Sequence, residues 1–191
     1  MFPPSVSFAK IGPESDPVLR EVFQYYLHDM AEWFEVETGP DGSYVYDTSA
    51  IWEKGYGVYL AKVGKSVVGF ALVGSARDWL SEGNIQSDIQ GEVLGGAYDV
   101  HEFFVLRGFR RGGVGQRMAA HIWNEHPGEW LVRVLEANAP AVAFWRTAIS
   151  GHARRVCKEE NRLVNGRPWV FFRFTSFELH PRGSLGRGPE L

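Results

Sequence analysis

The chain has 191 residues, of which 45% are hydrophobic and 23% charged, a composition typical of one globular domain with a substantial core. A net charge of -3 argues against a general nucleic-acid-binding protein, and a single cysteine excludes a disulfide within the chain. No targeting signal is recognisable and the most apolar window is too short to span a bilayer, so a cytoplasmic protein is expected.

Alternating and helical apolar patterns divide the first half of the chain into a strand, two helices and a hairpin. Asp16 is the expected N-cap of the first helix, with Pro17 at its first position. Gly64 and Lys65 form the expected tight turn of the hairpin. In chain order, the predicted elements are a strand at 5–11, a helix at 13–34, a short helix near 48–55, hairpin strands within 57–74 and a polar link at 75–96.

The second half predicts a strong strand, a helix, a strand, another helix and a closing antiparallel pair. A turn at 126–128 stops the first of these helices, and a turn at 165–166 joins the last two strands. The Gly- and Pro-rich segment 181–191 is expected to be a disordered tail, which leaves one domain over 1–180. The predicted elements are a strand at 97–106, a helix at 112–125, a strand at 130–137, a helix at 139–149 and strands at 152–160 and 167–177.

Four arginines and four glycines lie between Val105 and Met118, in a stretch without an acidic residue. The stretch joins a strand to a helix, and a helix start offers free backbone N–H groups and the positive end of its dipole. An anion-binding turn suited to a phosphate or pyrophosphate is therefore predicted. The dinucleotide fingerprint fails because Met118 replaces its third glycine, and the nucleoside-triphosphate loop fails because Val114-Gly115 replaces Lys-Ser/Thr.

The pattern that fits is Q/R-x-x-G-x-G/A, here Arg110 to Gly115, directly after the strand HEFFVL. Downstream, Asn138 to Trp145 matches the pattern Asn-x-x-Ala-x-x-hydrophobic-aromatic on a helix. With the order of elements, these motifs resemble the GNAT superfamily of CoA-dependent N-acyltransferases. The detailed resemblance covers residues 98–150, and a looser architectural one covers about 5–178.

The resemblance implies an α/β (α+β) fold, with a mixed, mostly antiparallel, twisted sheet of six or seven strands flanked by about four helices. The fourth and fifth strands are expected to splay apart. Acetyl-CoA is the implied co-substrate, no metal is needed, and the acetyl group passes directly to a primary amine of a small molecule or peptide. Neither nucleic acid nor a membrane is an expected partner. A homodimer is left open, because members of the family often dimerise.

The resemblance also implies which residues bind CoA. Main chain along the fourth strand pairs with the pantetheine arm, the turn holds the pyrophosphate, and the later helix lies beside the arm and the thiol. These residues are Phe104, Val105 and Leu106; Arg110, Arg111, Gly112, Gly113, Val114, Gly115 and Gln116; and Asn138, Phe144 and Trp145. The family often has a tyrosine at position 145 that protonates the departing thiolate. The general acid is therefore unassigned, with Tyr98 or a tyrosine from the N-terminal region as substitutes.

Glu102 is the predicted general base, because family members often carry a glutamate on this strand. His101 is the alternative base, and a structural or solvent-facing acid is the competing interpretation of Glu102. The Val105 amide is the implied donor to the oxyanion. Strict alternation along the strand predicts two opposite faces, one with Asp99, His101 and Phe103, the other with Val100, Glu102 and Phe104.

The segment from Asp29 to Glu53 has seven acids, five aromatic residues and no lysine or arginine. It suits a wall that attracts a cationic amine, but a solvated face with core aromatics fits equally. Cys157 is expected to be buried filler rather than a nucleophile, and the histidines show no ligand spacing. Two other functions remain open, a weakly catalytic acyl-CoA-binding module and a protein-interaction domain of the same fold.

Overall fold

The computed structural model describes residues 5–81, 96–152 and 157–177. Its strands are β1 Val6–Ile11, β2 Gly57–Val63, β3 Ser66–Ser75, β4 Tyr98–Val105, β5 Gly128–Leu135, β6 Lys158–Val164 and β7 Arg167–Ser176. They form one seven-stranded sheet with the order β1-β2-β3-β4-β5-β7-β6. Only β4 and β5 are parallel neighbours, and every other neighbouring pair is antiparallel. The predicted mixed, mostly antiparallel sheet is confirmed.

The described helices number five, against about four expected from the sequence. They are α1 Asp16–Met30, α2 Ser49–Glu53, α3 Ala76–Ser81, α4 Val114–Glu125 and α5 Ala139–His152. The additional helix is α3, which begins inside the predicted polar link. Residues 82–95, which follow it in the sequence, lie outside the described part of the chain. Within the described part of the chain, no helix is long and apolar enough to cross a membrane.

The start of α1 differs from the sequence prediction. The N-cap is Ser15 rather than Asp16, and no side chain caps the helix. The Asp16 carboxylate instead accepts hydrogen bonds from Arg20 Nε at 2.6 Å and from Trp52 Nε1 at 2.7 Å. Because Trp52 belongs to α2, this carboxylate ties the two helices together. Apolar residues at helical spacing, namely Leu19, Phe23, Leu27, Met30 and Phe34, predict a buried stripe on this helix. Leu19, Phe23 and Leu27 are buried, and the helix ends at Met30 rather than Phe34.

The last hairpin has the predicted turn but a shorter first strand. Asn165 and Gly166 have φ values of 48° and 74°, the left-handed pair that two-residue hairpin turns favour. The first strand begins at Lys158, whereas the sequence placed its start at 152, and 153–156 are outside the described residues. The proposed tail at 181–191 is also outside them.

Two apolar cores lie on opposite faces of the sheet. One is formed beneath α1 and α2 and includes Phe23 and Phe70, which are 1% and 0% exposed. The other lies beneath α4 and α5 and includes Met118 and Trp123. Burial of these large side chains contributes about 2 kcal/mol each, which anchors the helices to the sheet.

β4 and β5 separate after only two paired positions. Tyr98 pairs with Trp130 and Asp99 with Leu131, and no further pair joins the two strands. β4 continues along β3 to Val105, while β5 continues along β7. A cleft therefore opens between the carboxyl ends of β4 and β5, which confirms the predicted splay. We call this space the β4–β5 cleft.

Candidate active site

β4 contains a bulge beside the β4–β5 cleft. Leu72 of β3 pairs with Glu102, but the next residue, Val73, pairs with Val100. His101 is therefore the extra residue on β4. An inserted residue reverses the alternation of side chains beyond it, so two consecutive side chains can share one face of the sheet.

The strict alternation expected for this strand is wrong because of that bulge. Glu102 contacts Tyr26 of α1, and the Nε2 atom of His101 lies 3.3 Å from Oδ2 of Asp99. Phe103, expected beside His101, packs instead into the core beneath α4 and α5. The bulge thus gathers three ionisable side chains on one face of the sheet.

The Glu102 carboxyl group is half-buried and accepts a hydrogen bond from the Tyr26 phenol. Burial raises the pKa of Glu102 to about 7, although the Tyr26 hydrogen bond and the positive charge of Arg133 both favour its ionised form. Burial and the Glu102 charge raise the pKa of Tyr26 well above its usual range. The phenol therefore stays protonated and donates, while Glu102 changes charge near neutral pH.

His101 packs tightly against an aromatic ring. Its ring centroid lies 4.4 Å from that of Tyr56, next to Gly74 on β3. A Cβ atom at Gly74 would lie 2.3 Å from the Tyr56 ring, so this contact needs glycine. With Asp99 on its other side, His101 has a side chain that is only 12% exposed.

A buried ion pair joins β4 and β5 where the cleft begins. Asp99 is fully buried, and the Arg133 side chain is 6% exposed. Arg133 Nε lies 3.1 Å from Oδ1 of Asp99, and Arg133 Nη2 lies 2.5 Å from Oδ2. Sequence reasoning missed this pair, although an arginine inside the apolar run WLVRVL is an unusual interior charge.

The backbone of β4 presents alternate amides to the cleft. The Leu106 amide donates to the Val68 carbonyl at 2.8 Å, so it faces β3. Because hydrogen-bonded and non-bonded pairs alternate in an antiparallel ladder, the Phe104 amide also faces β3, and those of Phe103 and Val105 face the cleft. Of the three main-chain positions assigned to the cofactor arm, only Val105 has its amide directed there.

The glycine–arginine turn ends at the start of α4, where Gly113 is the N-cap with a φ of 77°. The first helical hydrogen bond runs from the Arg117 amide to the Gly113 carbonyl at 3.0 Å, and no side chain caps the helix. The preceding amides therefore lack helical acceptors. Amides without acceptors at a helix start are suited to bind an anion.

Two arginines of the turn are engaged by α1. Arg107 Nη2 lies 2.7 Å from Oδ1 of Asp29, and the Arg110 guanidinium pairs with the other carboxylate oxygen. Arg110 Nε also donates to the Val105 carbonyl at 2.7 Å. Asp29, which belongs to the acidic segment, is thus a partner of the turn. Arg111 is exposed and has a left-handed φ of 63°.

The remaining predicted cofactor residues occupy the start of α5. Asn138 Oδ1 accepts the Ala141 amide at 3.2 Å, so its side chain caps the helix. Phe144 contacts α4 at Gly115, where a Cβ atom would lie 3.1 Å from its ring. Trp145 is 5% exposed and packs on Phe103 at 4.8 Å between centroids, which places its ring in the core.

The acidic segment contributes aromatic rings rather than carboxylates to the site. Six of its seven acids are exposed, Asp29 being the exception. Tyr46 stacks on Phe23 at 4.4 Å, and burial together with the nearby Glu102 charge raises the pKa of Tyr46 to about 12. Tyr98, the other candidate acid, packs on His126 and Trp130 at the closed end of the cleft. Tyr26 was not among the site residues predicted from the sequence. It lies on the same apolar stripe of α1 as Phe23.

A comparison with models of protein families identifies the family of this chain. The family model described as Acetyltransferase (GNAT) family matches residues 24–148. The chain belongs to the GNAT acetyltransferase family. No curated protein sequence matches the chain.

Solved structures support the GNAT fold. The aminoglycoside acetyltransferase AAC(6')-Ib in complex with coenzyme A is 14% identical, with a TM-score of 0.61 over 90% of this chain and 95% of that one. A putative acetyltransferase from Salmonella typhimurium with acetyl-CoA is 12% identical, with a TM-score of 0.55 over 94% and 99%. Arabidopsis thaliana NAA60 in complex with acetyl-CoA is 13% identical, with a TM-score of 0.53 over 90% and 98%. At such identities the likeness is one of fold.

Proposed function

We propose that this GNAT protein is an acetyl-CoA-dependent N-acetyltransferase that transfers an acetyl group directly to a primary amine of a small molecule or peptide. One observation carries the proposal. Burial raises the pKa of Glu102 to about 7, and Glu102 lies on β4 beyond the last position that pairs with β5, which supports a role for its carboxyl group in the cleft. A group that changes charge at neutral pH is suited to remove a proton from an amine.

The residues around the α4 start fit a CoA diphosphate. Uncapped amides from Arg111 to Gln116 would hold it, with the positive end of the helix dipole behind them. Acetyl-CoA, when bound, supplies a thioester whose acyl carbon accepts the amine. The Val105 amide, directed to the cleft, is the proposed donor to the developing oxyanion. Asn138 and Phe144 would border the arm.

Glu102 is the proposed base, and Tyr26 orients its carboxylate. Ionised Glu102 accepts a proton from the acceptor ammonium, directly or through a water, and the neutral amine then has a free lone pair. His101 is less suited to this task, because it is enclosed between Asp99 and the Tyr56 ring. The aromatic faces of Tyr26 and Tyr46 beside a carboxylate favour a cationic acceptor.

The departing thiolate needs no dedicated acid in this proposal. Trp145 lies in the core and Tyr98 packs at the closed end of the cleft, so neither the Trp145 indole nor the Tyr98 phenol is suited to protonate the thiolate. The phenol of Tyr26, from the N-terminal region, donates to Glu102 instead. A free thiol has a pKa of about 8.5, which makes its thiolate an adequate leaving group. The same observation favours the second candidate function, an acyl-CoA-binding module with little catalysis.

A thiol-release assay with acetyl-CoA and a panel of amines tests the proposal. Wild-type protein should release CoA thiol, and Glu102→Gln should lower kcat by about 10²- to 10⁴-fold without changing CoA affinity in calorimetry. Glu53→Gln, an exposed acid on α2, is the matched control and should behave as wild type. Binding of CoA without thiol release from any amine would favour the binding module. An unchanged rate in Glu102→Gln would remove Glu102 as base.

A further inference from the structure

The buried Asp99–Arg133 pair has no role in the reaction described so far. Both side chains are almost completely removed from solvent. Asp99 lies at the last position of β4 that pairs with β5, and Arg133 lies two residues beyond its pairing partner Leu131. Removing two charges from water is costly, and an apolar pair of similar volume often stabilises a fold as well or better. Stabilisation of the fold is therefore a poor explanation for this pair. Its position where the cleft begins indicates a role in the cleft.

The pair is connected to the bulge of β4 by a short series of contacts. Both oxygens of Asp99 face the Arg133 guanidinium, at 3.1 Å and 2.5 Å. One of them, Oδ2, also lies 3.3 Å from Nε2 of His101. His101 is the inserted residue, and the next residue along the chain is Glu102. Arg133 thus contacts β4 only three residues before the proposed base, across the closed end of the cleft.

We propose that Arg133 is a positioning residue, which through Asp99 and His101 holds the β4 bulge and sets the orientation and charge of Glu102 in the cleft. This inference rests on the proposed function of Glu102 as base. Arg133 itself touches no reacting atom in this account. The positive charge of the Arg133 guanidinium stabilises the ionised form of Glu102, and the negative charge of Asp99 destabilises that form.

Titratable and charged groups from four parts of the chain lie around Glu102. They are Tyr26 from α1, Tyr46 from the segment before α2, Asp99 and His101 from β4, and Arg133 from β5. The two tyrosines stay neutral through the physiological range, because burial raises the pKa of each. After burial and the Tyr26 hydrogen bond, the charges of Arg133 and Asp99 act on the Glu102 carboxyl group, and they act in opposite directions.

Carbon-13 NMR of the glutamate side-chain carboxyls in the ligand-free protein tests this inference. The Glu102 signal is assigned by its loss in Glu102→Gln and should titrate near pH 7 in the wild type. Arg133→Gln should raise its midpoint by about one pH unit, and Asp99→Asn should lower it. The double variant should return it close to the wild-type value. Arg146→Gln, which removes an exposed pair with Glu159, is the control and should leave the midpoint unchanged.

A merely structural role would not produce opposite shifts in the two single variants. The inference would be overturned if the Glu102 midpoint shifted in the same direction in the two single variants, or if it stayed within about half a pH unit of the wild-type value in them. Because breaking a buried pair can prevent folding, Arg133→Lys provides a second test, since it keeps the charge and loses the two-point contact. Its midpoint should stay close to wild type, and a rise matching that of Arg133→Gln would also overturn the proposal. The titration needs no acetyl-CoA, so its result is independent of whether transfer is detected.

Discussion

The phenol of Tyr26 on α1 donates a hydrogen bond to the carboxylate of Glu102 on β4, across 76 positions of sequence. This contact joins the helix that faces the proposed acceptor to the strand that borders the cleft. Glu102 is half-buried, so its ionised form depends on the few donors that reach it. The Tyr26 hydrogen bond therefore has a direct effect on the pH at which Glu102 becomes a base.

Tyr26→Phe should move the pH profile of acetyl transfer upward. Loss of the donor destabilises the Glu102 carboxylate, which raises its pKa above 7 and shifts the ascending limb of kcat/KM by roughly half to one pH unit. Activity at pH 7 should fall, while activity at pH 9 should approach the wild-type value. Tyr25→Phe, on the exposed side of α1, should leave the profile unchanged. A uniform loss at all pH values would contradict the assignment.

Glu102 should make the protein less stable as the pH rises. Its pKa is about 7 in the folded state against 4.5 as the ordinary value, so the folded protein binds this proton more tightly. The resulting stabilisation is complete below pH 4.5 and is lost as the pH rises through 7. Relative to wild type, Glu102→Gln should gain about 3 kcal/mol of unfolding free energy between pH 5 and pH 8.5, measured with urea. A difference that is independent of pH would refute this.

Arg110 and Arg111 should have different roles, with Arg110 stabilising the fold and Arg111 binding the ligand. Arg110→Gln loses the Asp29 ion pair and the bond to the Val105 carbonyl, so the apo protein should lose about 1 kcal/mol and a few degrees in Tm. Arg111→Gln should keep the wild-type Tm but bind CoA roughly three- to tenfold more weakly, most clearly at low salt. Calorimetry of both variants at two salt concentrations measures this. Equal Tm losses would contradict the division of roles.

Asn138 should contribute to helix stability through one atom and to CoA binding through another. Asn138→Ala removes the cap on the Ala141 amide and should cost about 1 kcal/mol. Asn138→Asp keeps the capping oxygen but loses the amide donor and adds a negative charge. Its stability should match wild type while CoA affinity falls about tenfold. Wild-type affinity in Asn138→Asp would show that the side chain does not contact the cofactor.

The sequence-based predictions succeeded where the signal was local. Gly64-Lys65 and Asn165-Gly166 predicted turns that are present. Gly64, Asn165 and Gly166 adopt the left-handed backbone that glycine and asparagine tolerate. The glycine–arginine stretch predicted an uncapped helix start, and the structure has one at Gly113. The order of elements predicted the mixed sheet, and the family resemblance implied its splayed strands.

The predictions were wrong where a side chain has several possible partners that are distant from it in sequence. Asp16 was expected to cap α1 but bonds Arg20 and Trp52, which α2 brings within reach. Asp29 belongs to the acidic segment for which an acceptor wall and a solvated face were both open, and it pairs instead with Arg107 and Arg110. Which donor a carboxylate binds depends on the folded structure. Several donors are available to each carboxylate, and their separation from it in sequence does not distinguish them.

The amino-acid sequence alone determined the family, the order of the elements and the uncapped helix start after the glycine–arginine turn, because each depends on short-range spacing. Tertiary structure alone decided which face of the sheet the proposed base occupies. One inserted residue at His101 reverses the alternation of β4, and its position depends on pairing with β3, which no periodicity within the strand reveals. The same pairing brings Tyr26 and Arg133 to Glu102, so the chemistry of the site arises from contacts made only when the sheet and α1 pack together.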